Sequence, residues 1–185
     1  ILADQSFEAT KLNAKKIWNN ELSKIKITPS NEADEINRFD NMVKFYSCFY
    51  RTILFPRAFH EFDKDGKQIH YSPYNGKILN GPLYTDNGFW DTFRAVFPFY
   101  NLLYPEKMGE IIQGIMVNPY KESGWLPEWS SPGHRNCMIG SNSASIIAEA
   151  YIKGNIDFDI ETAYQAILKN TVNEGPLSSV GRKGF

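Results

Sequence analysis

Apolar side chains recur at spacings of three and four residues through most of this chain, and that spacing points to helices. Phe7, Ala14, Trp18, Leu22 and Ile25 fall near one face of a first helix. Thr28-Pro29-Ser30-Asn31 breaks it and offers a start to the next. Ile36, Phe39, Val43, Tyr46, Tyr50 and Ile53 then step by threes and fours, and Met42, Phe45 and Phe49 widen the stripe. So wide an apolar surface predicts a helix buried on two sides. Asp86 is placed to cap a third helix, with Phe89, Phe93, Val96, Tyr100 and Leu103 inward. Pro105-Glu106 opens a fourth, carrying Met108, Ile111, Ile112 and Ile115. Ser141 can cap a fifth, with Ala144, Ile147, Ala148 and Tyr151 inward and Gly154 at its end. Asp159 can start a sixth, with Ile160, Ala163, Tyr164 and Ile167 inward and Gly175-Pro176 after it.

The predicted fold class is therefore all-α, with helices following one another in hairpin-like succession. No short repeat with a fixed signature appears, so TPR and HEAT solenoids are not supported. Residues 55 to 84 leave the helical period. Asp63-Lys64-Asp65-Gly66 is a tight-turn sequence between Phe59-His60-Glu61-Phe62 and Gln68-Ile69-His70-Tyr71, which predicts a small β-hairpin insertion. Its Asp-x-Asp-Gly lacks the later ligand spacing and the terminal Glu of an EF-hand, so an ordinary turn is expected. A second long connection is expected from Asn118 to Gly140. Loops beyond about 12–15 residues are uncommon unless they carry function.

Charge and length limit the function classes. Twenty basic and 21 acidic side chains nearly cancel, which argues against general electrostatic binding of nucleic acid or of an anionic membrane. No apolar run reaches the roughly 20 residues needed to span a bilayer. Cys48 and Cys137 do not make a disulfide scaffold, and both are expected to be packed thiols. Aromatic residues make up 15% of the chain, a share that asks whether some of them line a ligand site instead of a core. The chain starts at Ile1, and no basic-then-apolar signal segment follows. Ser178 to Phe185 reads as a loop leading into further polypeptide, so a piece of a longer protein is expected.

Two segments concentrate chemistry. The first is Tyr84-Thr85-Asp86-Asn87-Gly88-Phe89-Trp90-Asp91-Thr92-Phe93-Arg94. Trp90 and Arg94 are four apart and share a helix face, while Asp91 and Arg94 are three apart and can pair. An indole beside a carboxylate and a guanidinium suits a sugar, which needs an apolar face to stack and charged partners for its hydroxyls. A first-turn salt bridge beside a packed Trp is the competing reading. The second segment is Gly124-Trp125-Leu126-Pro127-Glu128-Trp129-Ser130-Ser131-Pro132-Gly133-His134-Arg135-Asn136-Cys137-Met138-Ile139-Gly140. Here Glu128 can be a general acid, His134 an acid or base, and Arg135 an anion holder. A packed Ω-like loop with solvated charges is the alternative.

Other constellations fail. His60, His70 and His134 have no metal-site spacing, and His60 and His70 are expected to be structural or at the surface. Cys137 lacks the neighbours of a papain-type nucleophile. There is no G-x-S-x-G, P-loop or dinucleotide fingerprint. Gly140-Ser141-Asn142-Ser143 makes a helix start able to hold an anion, though caps of this kind are common.

Taken together, several stretches resemble glycoside hydrolase family 92, the calcium-dependent exo-acting α-mannosidases. They are Phe45-Tyr46 through Tyr50-Arg51-Thr52-Ile53-Leu54-Phe55-Pro56, then Gly88 to Ala95, Gly124 to Trp129, Cys137-Met138-Ile139-Gly140, and Ile147 to Gly154. The resemblance covers most of the chain. It implies that residues 1–185 form part of an (α/α)6 toroid of paired helices, a partial catalytic domain whose other partner is the remainder of the same polypeptide. It also implies a mannose-containing glycan as substrate and inversion at the anomeric carbon, with an acid and a base roughly 6.5–9.5 Å apart. Trp90, Asp91 and Arg94 match the family's sugar-binding helix start, and Trp125, Trp129 and Arg135 join them as expected substrate contacts. Ca2+ is implied as cofactor, with its ligands and the catalytic base outside this chain, so no metal ligand is expected within it. Secreted, cell-surface and cytoplasmic locations all stay open.

One departure matters. The family usually has its general acid, a Glu, just ahead of the Cys-Met-Ile-Gly stretch. The best-matched position here is His134, followed by Arg135. Either the acid is replaced, or Glu128 serves, or the loop is registered differently. A phosphate ester leaves without a proton, and some family members lacking this acid act on mannose-1-phosphodiesters. Such a substrate is therefore an alternative to a plain α-mannoside. A helical carbohydrate-binding module without catalysis and an unrelated structural domain are the remaining readings. The last predicts that Trp90, Trp125 and Trp129 are all buried.

Overall fold

The computed structural model describes residues 6–28 and 35–177. The predicted break at Pro29 to Asn31 and the predicted terminal loop from Ser178 lie outside the described residues. The chain divides into two compact units, Ile1–Leu54 and Phe55–Phe185.

The first unit holds α1 (Phe7–Leu22) and α2 (Glu35–Thr52). Ser6 caps α1, its hydroxyl accepting the Ala9 N–H at 3.2 Å. The helices meet through Trp18 and Tyr50, whose ring centroids are 4.6 Å apart, and through the Tyr46 hydroxyl, which donates to the Ile25 carbonyl at 2.9 Å. The expectation that α2 is buried on two sides is corrected. Phe49 is its one buried residue, while Ile36, Phe39, Val43 and Tyr50 are exposed. No residue of α1 is buried. A single partner helix covers only a narrow strip, so a stripe this wide stays largely uncovered within the unit. Cys48 is exposed as well, and so is Cys137 in the second unit, so neither is the packed thiol that was expected.

The second unit begins with short strands. β1 (Arg57–Ala58) pairs antiparallel with β5 (Tyr84–Thr85). Between them, β2 (Glu61–Phe62), β3 (Gln68–Tyr71) and β4 (Ile78–Asn80) form a three-stranded antiparallel sheet. The predicted hairpin is thus present and gains a third strand. In its turn the Asp63 carboxylate accepts the N–H groups of Asp65 and Lys67 at 2.9 and 2.8 Å, and Gly66 takes φ +76°. That is the Asx-type turn its sequence calls for.

Helices fill the rest: α3 (Phe89–Thr92), α4 (Val96–Leu103), α5 (Pro105–Ile112), a π-helical turn (Gln113–Val117), α6 (Asn118–Ser123), α7 (Asn142–Ile152) and α8 (Ile160–Val172). The single third helix predicted over Phe89 to Leu103 is corrected to α3 and α4. Pro98 is the reason, because its ring would clash with the Arg94 carbonyl four residues back in a continuous α-helix. The long loop predicted from Asn118 is corrected too. Pro119 sits in the opening turn of α6, where no N–H is needed, and Gly124 closes that helix at φ +81°. The π-turn just ahead supplies the change of pitch.

The core joins Phe89, Phe97, Tyr100, Met108, Ile112, Ile115, Met116, Val117 and Leu126 to Ile146, Ala150, Ala163 and Ala166. Phe89, Phe97 and Tyr100 stack edge to face, with centroids 5.9 and 5.6 Å apart. α7 packs against α3, α4 and α5, and α8 against the π-turn. The inward faces predicted for α7 and α8 are met only in part: Ile147 and Ala163 are buried as predicted and Ile146, Ala150 and Ala166 join them, whereas Ala148, Tyr151, Ile160 and Tyr164 are exposed. None of the helices among the described residues is long and apolar enough to cross a membrane.

The closest approach lies at Gly109 of α5. A Cβ there would stand 2.3 Å from the carbonyl oxygen of Asp157. Gly109→Ala is therefore expected to destabilise the fold by about 1–3 kcal/mol, read as a lower midpoint in urea denaturation of the full-length protein. An unchanged midpoint would show that the 155–159 loop yields at no cost.

Candidate active site

Two strands of two residues each bring the chemistry-bearing segments together. β6 (Asn87–Gly88) pairs antiparallel with β7 (Trp129–Ser130), placing Asn87 opposite Ser130 and Gly88 opposite Trp129. The next N–H along, that of Phe89, donates to the Glu128 carbonyl at 3.0 Å. Glycine is required at position 88: a Cβ would lie 2.9 Å from the Trp129 ring and 3.4 Å from the Asp91 carboxylate. Trp129 and Asp91 therefore converge on one spot at the mouth of α3.

Trp90 is 44% exposed there, too open for a packed core residue. Asp91 and Arg94 are exposed beside it. The predicted Asp91–Arg94 pair is corrected: no ion pair joins them among the described residues. The Arg94 guanidinium lies 4.8 Å from the Phe93 ring centroid and 5.9 Å from that of Trp90. Asp91 is thus left with its carboxylate free of Arg94.

The predicted cap at Asp86 is also corrected. Gly88 is the N-cap of α3, without a side-chain bond. Asp86 instead takes φ +62°, a conformation Asp tolerates. It accepts Arg57 Nε at 2.6 Å and the Ser131 hydroxyl at 2.7 Å, and it also pairs with the second guanidinium nitrogen of Arg57. Arg57 and Ser131 were not singled out from the sequence. Arg57 is brought there by β1 lying against β5, with partners 26 and 28 residues apart, and Ser131 by β7 lying against β6, pairings that no local signal announces.

Glu128 is 2% exposed, and its carboxylate is turned into the start of α7. One oxygen accepts the Asn142 backbone N–H at 2.9 Å and the Asn142 side-chain amide at 3.3 Å. The other accepts the Ser143 N–H at 3.2 Å and the Ser143 hydroxyl at 2.5 Å. The anion that the Gly140–Ser143 helix start can hold is therefore the chain's own Glu128, and the predicted side-chain cap from Ser141 is not made. Burial pushes the Glu128 carboxyl up to about 7, against the pull of these four bonds. The approach to α7 is tightly wound, with Met138 at φ +82° and Gly140 at φ +99°.

His134 points away from this helix start. Its Nε2 lies 2.9 Å from the Ser123 hydroxyl, and its ring meets Tyr74 edge to face at 4.8 Å. Nδ1 is buried without a hydrogen-bond partner. Burial holds the imidazole well below its ordinary range, at about 4, so it is neutral near pH 7. Arg135 is exposed, with Nε donating to the Ser131 carbonyl at 2.6 Å and its own N–H to the Trp129 carbonyl at 3.1 Å. Trp125 sits apart from the other indoles, under the Lys169 ammonium 4.5 Å from its ring. Beneath the loop, the buried His70 bonds Glu122 at 2.8 Å and the Gly81 carbonyl at 2.9 Å, the structural role expected of it. His60 is likewise tied into the sheet, within 3.1 Å of the Leu83 carbonyl and of Gln68 Nε2.

The structure thus brings Trp129 to Asp91 at the start of α3 and Arg94, just past its end, to Trp90, and leaves Trp125, His134 and the Glu128 carboxylate in other settings. Among the described residues no group of three or more His, Cys, Asp or Glu side chains gathers where a metal ion could be held.

A model of the glycosyl hydrolase family 92 catalytic domain matches residues 1–185. The solved structure of the family GH92 inverting mannosidase BT2199 from Bacteroides thetaiotaomicron is 47% identical to the chain, with a TM-score of 0.88. That match covers 99% of this chain and 24% of the other. The α-mannosidase BT3965 of the same organism, solved alone and with mannoimidazole, is 29% identical with a TM-score of 0.74, covering 89% of this chain and 21% of its own. The chain therefore spans less than a quarter of the length of these relatives. No curated protein matches.

The buried imidazole has a consequence for stability. Between pH 6.5 and about 4 the unfolded chain binds a proton at His134 that the folded protein refuses. The contribution is full above the unfolded value and is lost as pH falls through that window. His134→Gln is expected to flatten this slope, seen as a smaller loss of melting temperature than wild type between pH 7 and 4.5. Parallel curves for the two proteins would refute it.

Proposed function

The chain belongs to glycosyl hydrolase family 92, and from that premise we propose that the protein is an exo-acting glycosidase releasing terminal α-linked mannose with inversion. The observation that carries this reading is the convergence of an exposed Trp90, a carboxylate at Asp91, a guanidinium at Arg94 and the Trp129 ring at the mouth of α3. An indole offers the flat face on which the C–H side of a pyranose stacks. Charged acceptors and donors at its edge read the hydroxyls, and charge-assisted bonds of this kind are the stronger ones. The names of the relatives support the substrate class: one is described as an inverting mannosidase, another is solved with mannoimidazole.

In this reading residues 1–185 are part of an (α/α)6 toroid, and the other helix pairs come from the rest of the polypeptide. The catalytic base and the calcium ligands belong to that remainder. Trp90, Asp91 and Arg94 orient the sugar, and Trp129 closes one side of its site. Arg135, exposed on the turn after β7, contacts the group attached to the mannose.

A second reading is favoured by one observation. His134 is a neutral imidazole at the position where the family usually has its acid, and the Glu128 carboxylate is sequestered at α7. A leaving group that departs as a phosphate needs no proton, so a mannosyl phosphodiester would suit such a site. Hydrolysis of α-mannobiose and of a mannosyl phosphodiester by the full-length protein separates the two. Release from the phosphodiester alone selects the second reading, and release from neither sinks both.

Substitution tests the sugar site directly. Asp91→Asn is expected to lower kcat/KM about 10- to 100-fold through loss of a charged acceptor. Trp90→Ala is expected to act mainly by raising KM, about tenfold, through loss of stacking. Unaltered kinetics in both variants would remove the mannose site from the mouth of α3.

A further inference from the structure

Glu128 has contacts that a proton donor does not need. Its backbone carbonyl accepts the first N–H of α3, at 3.0 Å from Phe89. Its carboxylate accepts four bonds from Asn142 and Ser143 at the start of α7, between 2.5 and 3.3 Å. The following residue, Trp129, is paired with Gly88. One residue thus links the helix that carries Trp90 and Asp91, the strand that carries Trp129 and the buried start of a core helix. Both carboxylate oxygens are occupied, and the residue is 2% exposed, so neither is presented to a glycosidic oxygen.

We infer that Glu128 is a positioning residue of the sugar site: it clamps α7 through its side chain and α3 through its backbone, and so fixes Asp91 and Trp90 against Trp129. This rests on the mannose-site reading above. The clamp is built from fixed dipoles at a helix N-terminus, which favour an acceptor at that point. Misplacement of sugar contacts by about 1 Å costs on the order of 100-fold in rate. The site is therefore sensitive to a residue that never touches the sugar.

The test compares leaving groups in the full-length protein. Rates are measured on 2,4-dinitrophenyl α-mannoside, whose leaving group departs unprotonated, and on α-mannobiose, whose leaving group requires a proton. Each is scaled to the folded fraction from a thermal melt. Glu128→Ala is expected to lower kcat/KM on both substrates by the same factor, about 10- to 100-fold. Glu128→Gln is expected to recover part of it, equally on both, because its amide oxygen still accepts from Asn142 and its NH2 can donate to the Ser143 hydroxyl, while the Ser143 backbone N–H loses its acceptor. Ser143→Ala removes one donor and leaves the charge in place, so a smaller equal loss on both substrates is expected, and it serves if Glu128→Ala does not fold.

A loss confined to α-mannobiose overturns the inference and makes Glu128 the general acid. So does a loss that vanishes once rates are scaled to folded protein, which would leave a structural role only. If Asp91→Asn impairs hydrolysis while Glu128→Ala and Ser143→Ala do not, the clamp fails and the sugar site stands. If Asp91→Asn has no effect, the site reading itself fails.

Discussion

The pairing of Gly88 with Trp129 is the contact on which the candidate site depends. It spans 41 residues of sequence and involves strands of two residues each. Such a short ribbon would not hold by itself, since an isolated two-stranded hairpin is marginal in water. It holds here because both strands run into buried elements. Gly88 leads into Phe89, a fully buried member of the aromatic core, and Trp129 follows Glu128, which is anchored to α7. The missing Cβ at position 88 lets the indole lie against the backbone. Any other residue would push Trp129 away from Asp91.

Polar groups secure the ground beneath this ribbon. Asp86 ties Arg57 on β1 to Ser131 in the turn after β7. Tyr74 reaches Ser130 by its hydroxyl at 3.1 Å, and burial pushes that phenol up to about 12, so it stays a neutral partner. His70 and Glu122 connect β3 to α6 in a setting from which water is excluded. Buried polar networks of this type add little net stability, but removing one member leaves another uncompensated. The small sheet inserted between α2 and α3 is thereby coupled to the loop bearing Trp129. An insertion that looks peripheral in sequence serves as a support for the site.

The helical class, the hairpin with its Asp63 turn and the two segments that carry chemistry were legible from spacing and residue type. So was the nearness of Trp90 and Arg94, because a four-residue separation brings side chains together along a helix turn, although the Asp91–Arg94 pair expected from a three-residue separation does not form. The family could be read from several motifs in order, and the match over residues 1–185 bears that out. The split of α3 from α4 was readable in principle from Pro98, a residue whose effect lies four positions upstream. The inward face of α7 and α8 was readable only in part, through Ile147 and Ala163, because periodicity marks a stripe without saying what packs against it. Tyr151 and Tyr164 match the stripe yet are exposed, while Ala150 and Ala166, outside it, are fully buried.

Local sequence determined where helices run, where the chain turns, and which residue types crowd each loop, since those depend on neighbours within a few positions. Only tertiary structure decided what the crowded residues do. Glu128 and His134 lie six positions apart in one loop, yet one carboxylate enters a helix N-terminus and one imidazole lodges neutral against Tyr74. Arg94 had Asp91 within reach along the helix and settled on aromatic rings. The settings of Glu128 and His134 depend on partners 11 to 60 residues away in sequence, brought near by the core. Long-range partners set burial, burial sets charge state, and charge state sets the chemistry a side chain can perform.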